Sequence, residues 1–409
     1  MATKPRTREP DVMQLIARAK ELAVLLDSEA PASETLGRLT DRSVQALRDG
    51  GFLELLGPAE FGGFDLGPYD AMQVIEEIFR ADGSAGWIAM AQNVQLKPLS
   101  FLKREVVAKM YANGVPGLGG QGAPTGTAVA VEGGYRVTGT WAYGSNVLHS
   151  DYVSGSCILT ENGAPLRNAF GAPTIVRWLA PFEQIEVKGN WNVLGLEATG
   201  SVDYSVTDLF IPKDFALSTG ILSSKPADWV EKPSSLSPIL WIFWGHVVGE
   251  MGLGRRLSEE LKTLSHKSSA NRGRLADDPV FLTEYAKAEA AFQAAQSWNY
   301  QIWRDIQTAD VHGEPTSRQQ ITVARLAMLH IQSVNAANAQ FAFREGGGAA
   351  LRDGSLQRLY RNVQTAGQHM VMSRKIWSEC GKDLIGEADG MMWGPYALMP
   401  DPTRAAVKS

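Results

Sequence analysis

The hydrophobic period of this chain changes twice, and that double change limits the folds open to it more than any single motif does. Over residues 11–26 the apolar positions Val12, Leu15, Ile16, Ala19, Leu22, Ala23 and Leu26 keep helical spacing. A second helix is predicted to start at Thr40, whose hydroxyl can cap it, and to stop at Gly50-Gly51. Residues 69–80 and 101–112 read as two more, with Pro58 and Gly62-Gly63 marking loops between them. After Gly117 the period shortens to two. Tyr135, Val137, Trp141, Tyr143 and Ser145 fall on alternate positions, with Gly139 among them, and are expected on one face of one straight strand. Val129 and Val131 lie across Glu132-Gly133-Gly134, which reads as a hairpin turn. Strand-like runs continue through 152–159, 174–179, 185–187 and 202–211. A Ser-, Pro- and Lys-rich connection covers 217–238, and helical patterns then resume to about 384, with breaks near 272–279, 313–316 and 346–348.

Helices, a β region and helices again, in 409 residues, predict an α+β protein too long for one simple core. The expected units are 1–117, 118–216 and 217–409.

Composition narrows the function by exclusion. Lys and Arg number 39 against 44 Asp and Glu, so the chain carries no basic surplus for nucleic acid. The most apolar window, 238–248, is far shorter than the roughly 20 residues of a membrane helix and contains His246. The N-terminus has no apolar signal-peptide stretch, and the two cysteines, Cys157 and Cys380, sit in no metal-ligand spacing. These features predict a soluble, cytoplasmic protein with no membrane partner and no metal site. Gly117 to Gly122 satisfies GxGxxG formally, but a predicted helix precedes it and a hairpin follows. A dinucleotide fingerprint needs the reverse, because the pyrophosphate rests on the N-terminus of the following helix. Without a nicotinamide site, reducing power would have to come from another protein.

Five short motifs follow one another in a specific order: EEIFRADGSAGW at 76–87, GQGAPTGTA at 120–128, GTWAYGSN at 139–146, GNWNVLGLEATGS at 189–201 and LQRLYRN at 356–362. Together they make residues 39–386 resemble the acyl-CoA dehydrogenase superfamily, whose β region ends in WNxLGxxxTGS. The resemblance implies an N-terminal helical domain, a middle β-barrel or sandwich domain and a C-terminal four-helix bundle, with a flavin between the last two. Trp141 or Tyr143 would supply a flat wall for the ring and Ser145 the contact at N5, which suits a strand that points all three to one side. Gln121, Thr125 and Thr199 belong to the flavin-lining motifs. Arg272, or Arg274 beside it, would reach the pyrophosphate of a neighbouring subunit, since guanidinium binds phosphate in a bidentate fashion. That sharing implies a homotetramer.

Dehydrogenase members commonly carry a carboxylate base soon after the Arg-Asp pair that matches Arg361-Asn362, and residues 363–372 contain none. Some dehydrogenases place the base on an earlier helix, so an FAD-dependent acyl-CoA dehydrogenase or oxidase stands as the alternative. What occupies the region is His369, on the polar stripe Arg358, Asn362, Thr365 and His369 of a helix expected to start near 356. This resembles the QRxxRDxxAxxxH pattern of two-component flavin monooxygenases, relatives of 4-hydroxyphenylacetate and dibenzothiophene monooxygenases and of bacterial indole-oxidising enzymes. Asn362 stands where that family has Asp, which removes a carboxylate beside Arg361. The resemblance implies reduced FAD (FMN less so) delivered by a separate NAD(P)H-dependent flavin reductase, and O2 captured as a C4a-hydroperoxyflavin. His369 would handle the proton, since imidazole ordinarily titrates near working pH. Phenol-binding relatives place a histidine after the GSxxW motif. Here Gln92, Asn93 and Gln95 follow it, which points to a neutral heteroaromatic such as an indole, held by Asn93 and Gln95, with His149 bordering the site. His246, His266, His312 and His330 read as structural.

Overall fold

The computed structural model describes residues 11–168, 171–218, 225–269 and 273–401. Five helices lead: α1 (Val12–Leu36), α2 (Asp41–Asp49), α3 (Pro68–Ala81), α4 (Gly83–Leu96) and α5 (Arg104–Met110). Asp11 caps α1 by accepting from Gln14 N, and Gly37, at φ 64°, ends it in the left-handed region that glycine tolerates. This helix runs ten residues beyond its expected end at Leu26, because the small buried side chains of Ala30 and Ser33 keep its inner face packed where large apolar residues stop. Thr40 caps α2 as its position suggests. The sequence pattern does not announce α4: it is apolar almost all round, and Ile88, Ala89, Met90 and Ala91 are all buried, so no amphipathic stripe marks it.

The middle of the chain forms β1 (Leu118–Val131), β2 (Gly134–Trp141), β3 (Tyr152–Glu161), β4 (Ala164–Pro165), β5 (Ile175–Pro181), β6 (Glu186–Val187), β7 (Tyr204–Pro212) and β8 (Ala216–Leu217). The order is β6-β7-β2-β1-β3-β5-β8, with β4 on β3. β1 and β3 run parallel and the other pairs antiparallel. The predicted hairpin is present: Val131 pairs with Gly134, and Gly133 takes φ 78° between them. The GxGxxG stretch leads into and forms the start of strand β1, so no helix N-terminus follows it. The expected single strand to Ser145 is not found. β2 ends at Trp141, and Tyr143 turns through φ 61° and Asn146 through φ 63°, which breaks the alternation.

The chain returns to helices with α6 (Pro238–Ser265), the short pair β9 (Ser268–Ser269) and β10 (Gly273–Arg274), then α7 (Pro279–Val311), α8 (Arg318–Gly346), α9 (Gly348–Leu351), α10 (Ser355–Ala366) and α11 (Arg374–Leu384). A last hairpin, β11 (Met391–Trp393) and β12 (Leu398–Pro400), closes the described chain. α6, α7, α8 and α10 pack as a C-terminal four-helix bundle, giving the expected α+β layout of helices, sheet and helices.

One apolar cluster runs from α1, α3 and α4 through α6, α8 and α10, while the sheet has its own core around Trp141, Trp178 and Tyr204. The motif at 76–87 supplies the clamp between leading and trailing helices. Glu76 and Glu77 on α3 each lie 3.0 Å from Arg255 on α6, and Tyr300 on α7 donates to Glu76. Removing one member of such a buried set strands the others, so the pairing specifies how the helices dock more than it adds stability.

Candidate active site

A cavity of about 2410 Å³ lies where the sheet loops, α4, α6 and the chain after α10 meet. Single small-molecule sites span roughly 300–1,000 Å³, so this volume admits a large cofactor together with a substrate. Its position follows from how the sheet loops are tied down. In the WNxLG loop, Leu196 N donates to Asn362 Oδ1 at 2.7 Å, and Arg361 Nη1 donates to Leu194 O at 3.0 Å. Arg361 also pairs with Glu34 at 2.9 Å and with Glu197. The missing Asp at 362 therefore costs the arginine no partner: α1 and the loop supply two carboxylates, and the asparagine serves as an acceptor for the backbone. Gly195 is required at this junction, because a Cβ there would meet the carbonyl carbon and oxygen of Arg361 at 2.4 Å.

Ser145 and His369 open onto this cavity, and each contacts Trp87. The Trp87 indole N–H donates to Ser145 Oγ at 3.1 Å, and Ser201 Oγ lies 3.4 Å from the same oxygen. Ser201 Oγ in turn donates to Thr199 Oγ1 at 3.0 Å, and Thr199 is buried in the cavity wall. His369 does not ride on a helix. α10 ends at Ala366, and His369 caps the single 3-10 turn 370–372, its Nδ1 accepting from Val371 N at 3.4 Å. That bond calls for the tautomer with the proton on Nε2. Burial pushes the imidazole down to about 4. At neutral pH it is an uncharged N–H donor, which corrects the expectation of a group titrating near working pH.

Sequence reasoning set His246 aside as structural, yet it lines the same cavity. Its ring centroid lies 3.9 Å from that of His369 and 5.2 Å from that of Trp87. Burial, and then the neighbouring His369, hold it well below the ordinary histidine range. The signal was a lone imidazole inside the apolar run 238–248, where a merely structural role would have suited any aliphatic residue.

The other expected site residues divide. Gln121, Tyr143 and Gln95 line the cavity; Tyr143 is 68% exposed, with its ring edge-on to Trp191. Trp141 does not face the cavity. It is fully buried in the sheet core, stacked on Tyr204 at 5.5 Å, with its N–H donated to Ser156 O, so it cannot form a wall for a cofactor. Thr125 is exposed, its hydroxyl donated to Thr140 O, because Pro124 and the register shift beside it turn that part of β1 outward. Asn93 is buried with its amide saturated by Leu56 N, Phe52 O and Ala89 O, and it fixes the 52–56 loop to α4 rather than reaching a substrate. Gln92 does similar work, joining Leu118 N, Pro116 O and Asn146. His149 lines a separate cavity of about 220 Å³ with Arg48 and Asn113. Burial there lowers it to about 4. Arg272 lies outside the described residues, and Arg274 pairs with Asp277 at 2.6 Å.

The lining suits a flat, hydrogen-bonding heteroaromatic group. Four sealed polar atoms on this cavity's residues have no partner among the described residues: Arg177 Nε, His246 Nδ1, Gln364 Nε2 and Thr365 Oγ1. Buried groups of this kind normally have partners, so four of them on residues of one cavity suit a site that a ligand completes. Among the described residues no cluster could hold a metal ion, and no helix is long and apolar enough to cross a membrane.

Comparison with known proteins decides the family. Residues 26–102 match the acyl-CoA dehydrogenase N-terminal domain model and residues 246–374 the C-terminal domain model, together half of the chain. The chain belongs to the acyl-CoA dehydrogenase family. Within that family it is similar to indole-3-acetate monooxygenase of Pseudomonas putida, 29% identical over 352 residues, 84% of this chain and 86% of that one. It is also similar to the flavin-dependent monooxygenase oxygenase subunit HsaA of Rhodococcus jostii (strain RHA1), 26% identical over 370 residues, 86% of this chain and 93% of that one. In fold it matches XiaF from Streptomyces sp., solved with FADH2 and glycerol, at a TM-score of 0.82 and 20% identity, covering 92% and 96% of the two chains. This family member thus groups with flavin monooxygenases that act on aromatic compounds.

Proposed function

We propose that this chain is the oxygenase component of a two-component monooxygenase. It takes reduced FAD from a separate NAD(P)H-dependent flavin reductase and spends O2 to hydroxylate or epoxidise an aromatic, indole-like or phenolic substrate. The observation that carries this reading is the sharing of one cavity by Ser145 and His369 beside Trp87. Bound reduced flavin supplies the activation of dioxygen. The chain supplies the rest.

Ser145, its hydroxyl held by Trp87, would offer the flavin a fixed hydrogen-bond partner, with Thr199 and Gln121 lining the same pocket. His369 would offer its Nε2–H as an uncharged donor to the reacting oxygen, with the His246 ring packed against it, centroids 3.9 Å apart. Trp87, Met90, Trp241 and Ile242 make the wall apolar, which keeps water from the reacting atoms. For a dehydrogenase the structure would have to put a carboxylate in this wall on the earlier helix. Glu250, one turn past His246, does not serve: it is buried against Asn335 in the bundle and lines no part of the cavity.

The reading extends to three structural units at 1–117, 118–216 and 217–409, a homotetramer with Arg272 reaching a neighbour's flavin, and a cytoplasmic location; light scattering tests the assembly. The function itself is tested by anaerobic flavin titration and a coupled assay. Reduced FAD should bind more tightly than oxidised FAD, and product should form only with reductase and NAD(P)H present. Tight binding of oxidised FAD that an acyl-CoA bleaches would refute it.

A further inference from the structure

Arg177, on β5, is a cation in the cavity wall with no acid to answer it. Its Nη2 donates to Gln95 Oε1 at 2.5 Å and to Ser154 Oγ at 3.1 Å, both neutral groups. Its Nε is sealed from solvent and has no partner. No carboxylate among the described residues pairs with it. Burial accordingly lowers its pKa from the ordinary guanidinium value, with only the Tyr204 hydroxyl acting the other way. Arg255, Arg256 and Arg361, sunk between elements, all have carboxylates, whereas the fully buried Arg325 is held by the carbonyls of Gly394 and Pro395 and lies over the rings of Phe243 and Trp393.

The position is close to the reacting corner. Gln95 Nε2 donates to Gly120 O at 3.4 Å, and Gly120 N donates to Ser145 O at 3.0 Å, so Arg177, Gln95, Gly120 and Ser145 form one connected wall. All four line the same cavity. Gln95, expected to hold a neutral ring through its amide, is instead occupied in orienting the guanidinium.

We propose that Arg177 receives a carboxylate carried by the aromatic substrate, so that this cavity selects aryl- or indolyl-alkanoic acids over neutral or cationic aromatics. A guanidinium half withdrawn from water is an unfinished ion pair, and a carboxylate offers it two oxygens in matching geometry. The free protein keeps the arginine in place through neutral acceptors that do not cancel its charge, so the charge is available when the acid arrives. An anchor at Arg177 also orients the ring, because a substrate fixed by its side chain presents the same edge toward Ser145 and His369 at every turnover.

This inference rests on the oxygenase reading, and the experiment separates the two. With reduced FAD bound, under nitrogen, calorimetry compares indole-3-acetate with indole-3-acetamide, and phenylacetate with phenylacetamide, pairs that differ in charge at nearly constant shape. A charge-assisted pair of this kind corresponds to about 10- to 100-fold in affinity, so the acids should bind tighter than the amides by that factor. Arg177→Met should erase the preference by weakening acid binding far more than amide binding, while Arg177→Lys, which keeps the charge and loses the fork, should retain part of it. Equal affinity for acid and amide in the unaltered protein, or binding of no acid at all, overturns the proposal without needing any variant. So does a preference that survives Arg177→Met. Loss of reduced-FAD binding in that variant assigns the guanidinium to the flavin phosphates and also overturns it. Failure of the unaltered protein to bind reduced FAD, by contrast, sinks the oxygenase reading itself.

Discussion

The protonation state of His369 yields the sharpest prediction. Burial pushes its imidazole from about 6.5 to about 4, a preference for the neutral form of about 3 kcal/mol. At pH 7 roughly one molecule in a thousand carries the charged ring, so any role in turnover belongs to the neutral Nε2–H. Between pH 6 and 8 the ratio of product to H2O2 should therefore show no inflection from this residue. His369→Ala should lower product formation by about 10²-fold, the low end for a positioned proton-handling group, with H2O2 rising to match. His369→Gln, which keeps an N–H donor at similar reach, should recover part of the coupling. The same burial predicts a stability effect of definite sign. The unfolded imidazole binds its proton near pH 6.5 and the folded one near 4, so the stabilisation is complete above pH 6.5 and is lost as pH falls toward 4. At pH 5 the loss is about 2 kcal/mol, read as a larger drop in urea midpoint for the unaltered protein than for His369→Gln. A rate profile with a limb at pH 6–7 that vanishes in His369→Ala would show a charged imidazolium at work and refute the argument from burial.

Other perturbations follow from the same geometry. Glu250 is pushed up to about 7 by burial; its unfolded carboxyl ionises near 4.5, so stability is lost as pH rises through that window. Glu250→Gln should accordingly stabilise the protein at pH 8 by up to about 3 kcal/mol and leave it unchanged at pH 4.5; equal urea midpoints at pH 8 would contradict this. Gly195→Ala drives a methyl into the Arg361 carbonyl, so it should cost about 1–3 kcal/mol, lower the melting temperature and weaken reduced-FAD binding by lifting the loop that carries Thr199. Trp87→Phe removes the hydrogen bond to Ser145 Oγ, worth about 1 kcal/mol. It should raise H2O2 release with little change in melting temperature, and unchanged coupling would exclude Trp87 as the positioning residue for Ser145.

Local pattern carried a good deal. The helix start at Thr40 follows from capping chemistry and the hairpin at 132–134 from its glycines, because these signals act over a few residues. The motif at 189–201 likewise points to Thr199, which lies in the cavity wall. The failures share one cause. Alternation along a strand says which side chains share a face, not where the strand ends, so Trp141 was grouped with Ser145 although the chain turns at Tyr143. Amide side chains at 92, 93 and 95 look alike in sequence. Only packing shows that two are consumed by backbone groups and the third by an arginine 82 residues on.

From sequence alone come the alternation of helical and strand-like regions, the family motifs and the shortlist that includes Ser145 and His369, since each depends on residues near one another along the chain. The tertiary structure alone decides that His246 faces His369, that both imidazoles are neutral, and that Arg177 lacks a counter-charge. Those properties depend on burial and on which distant groups share a wall, and neither is a function of neighbouring sequence.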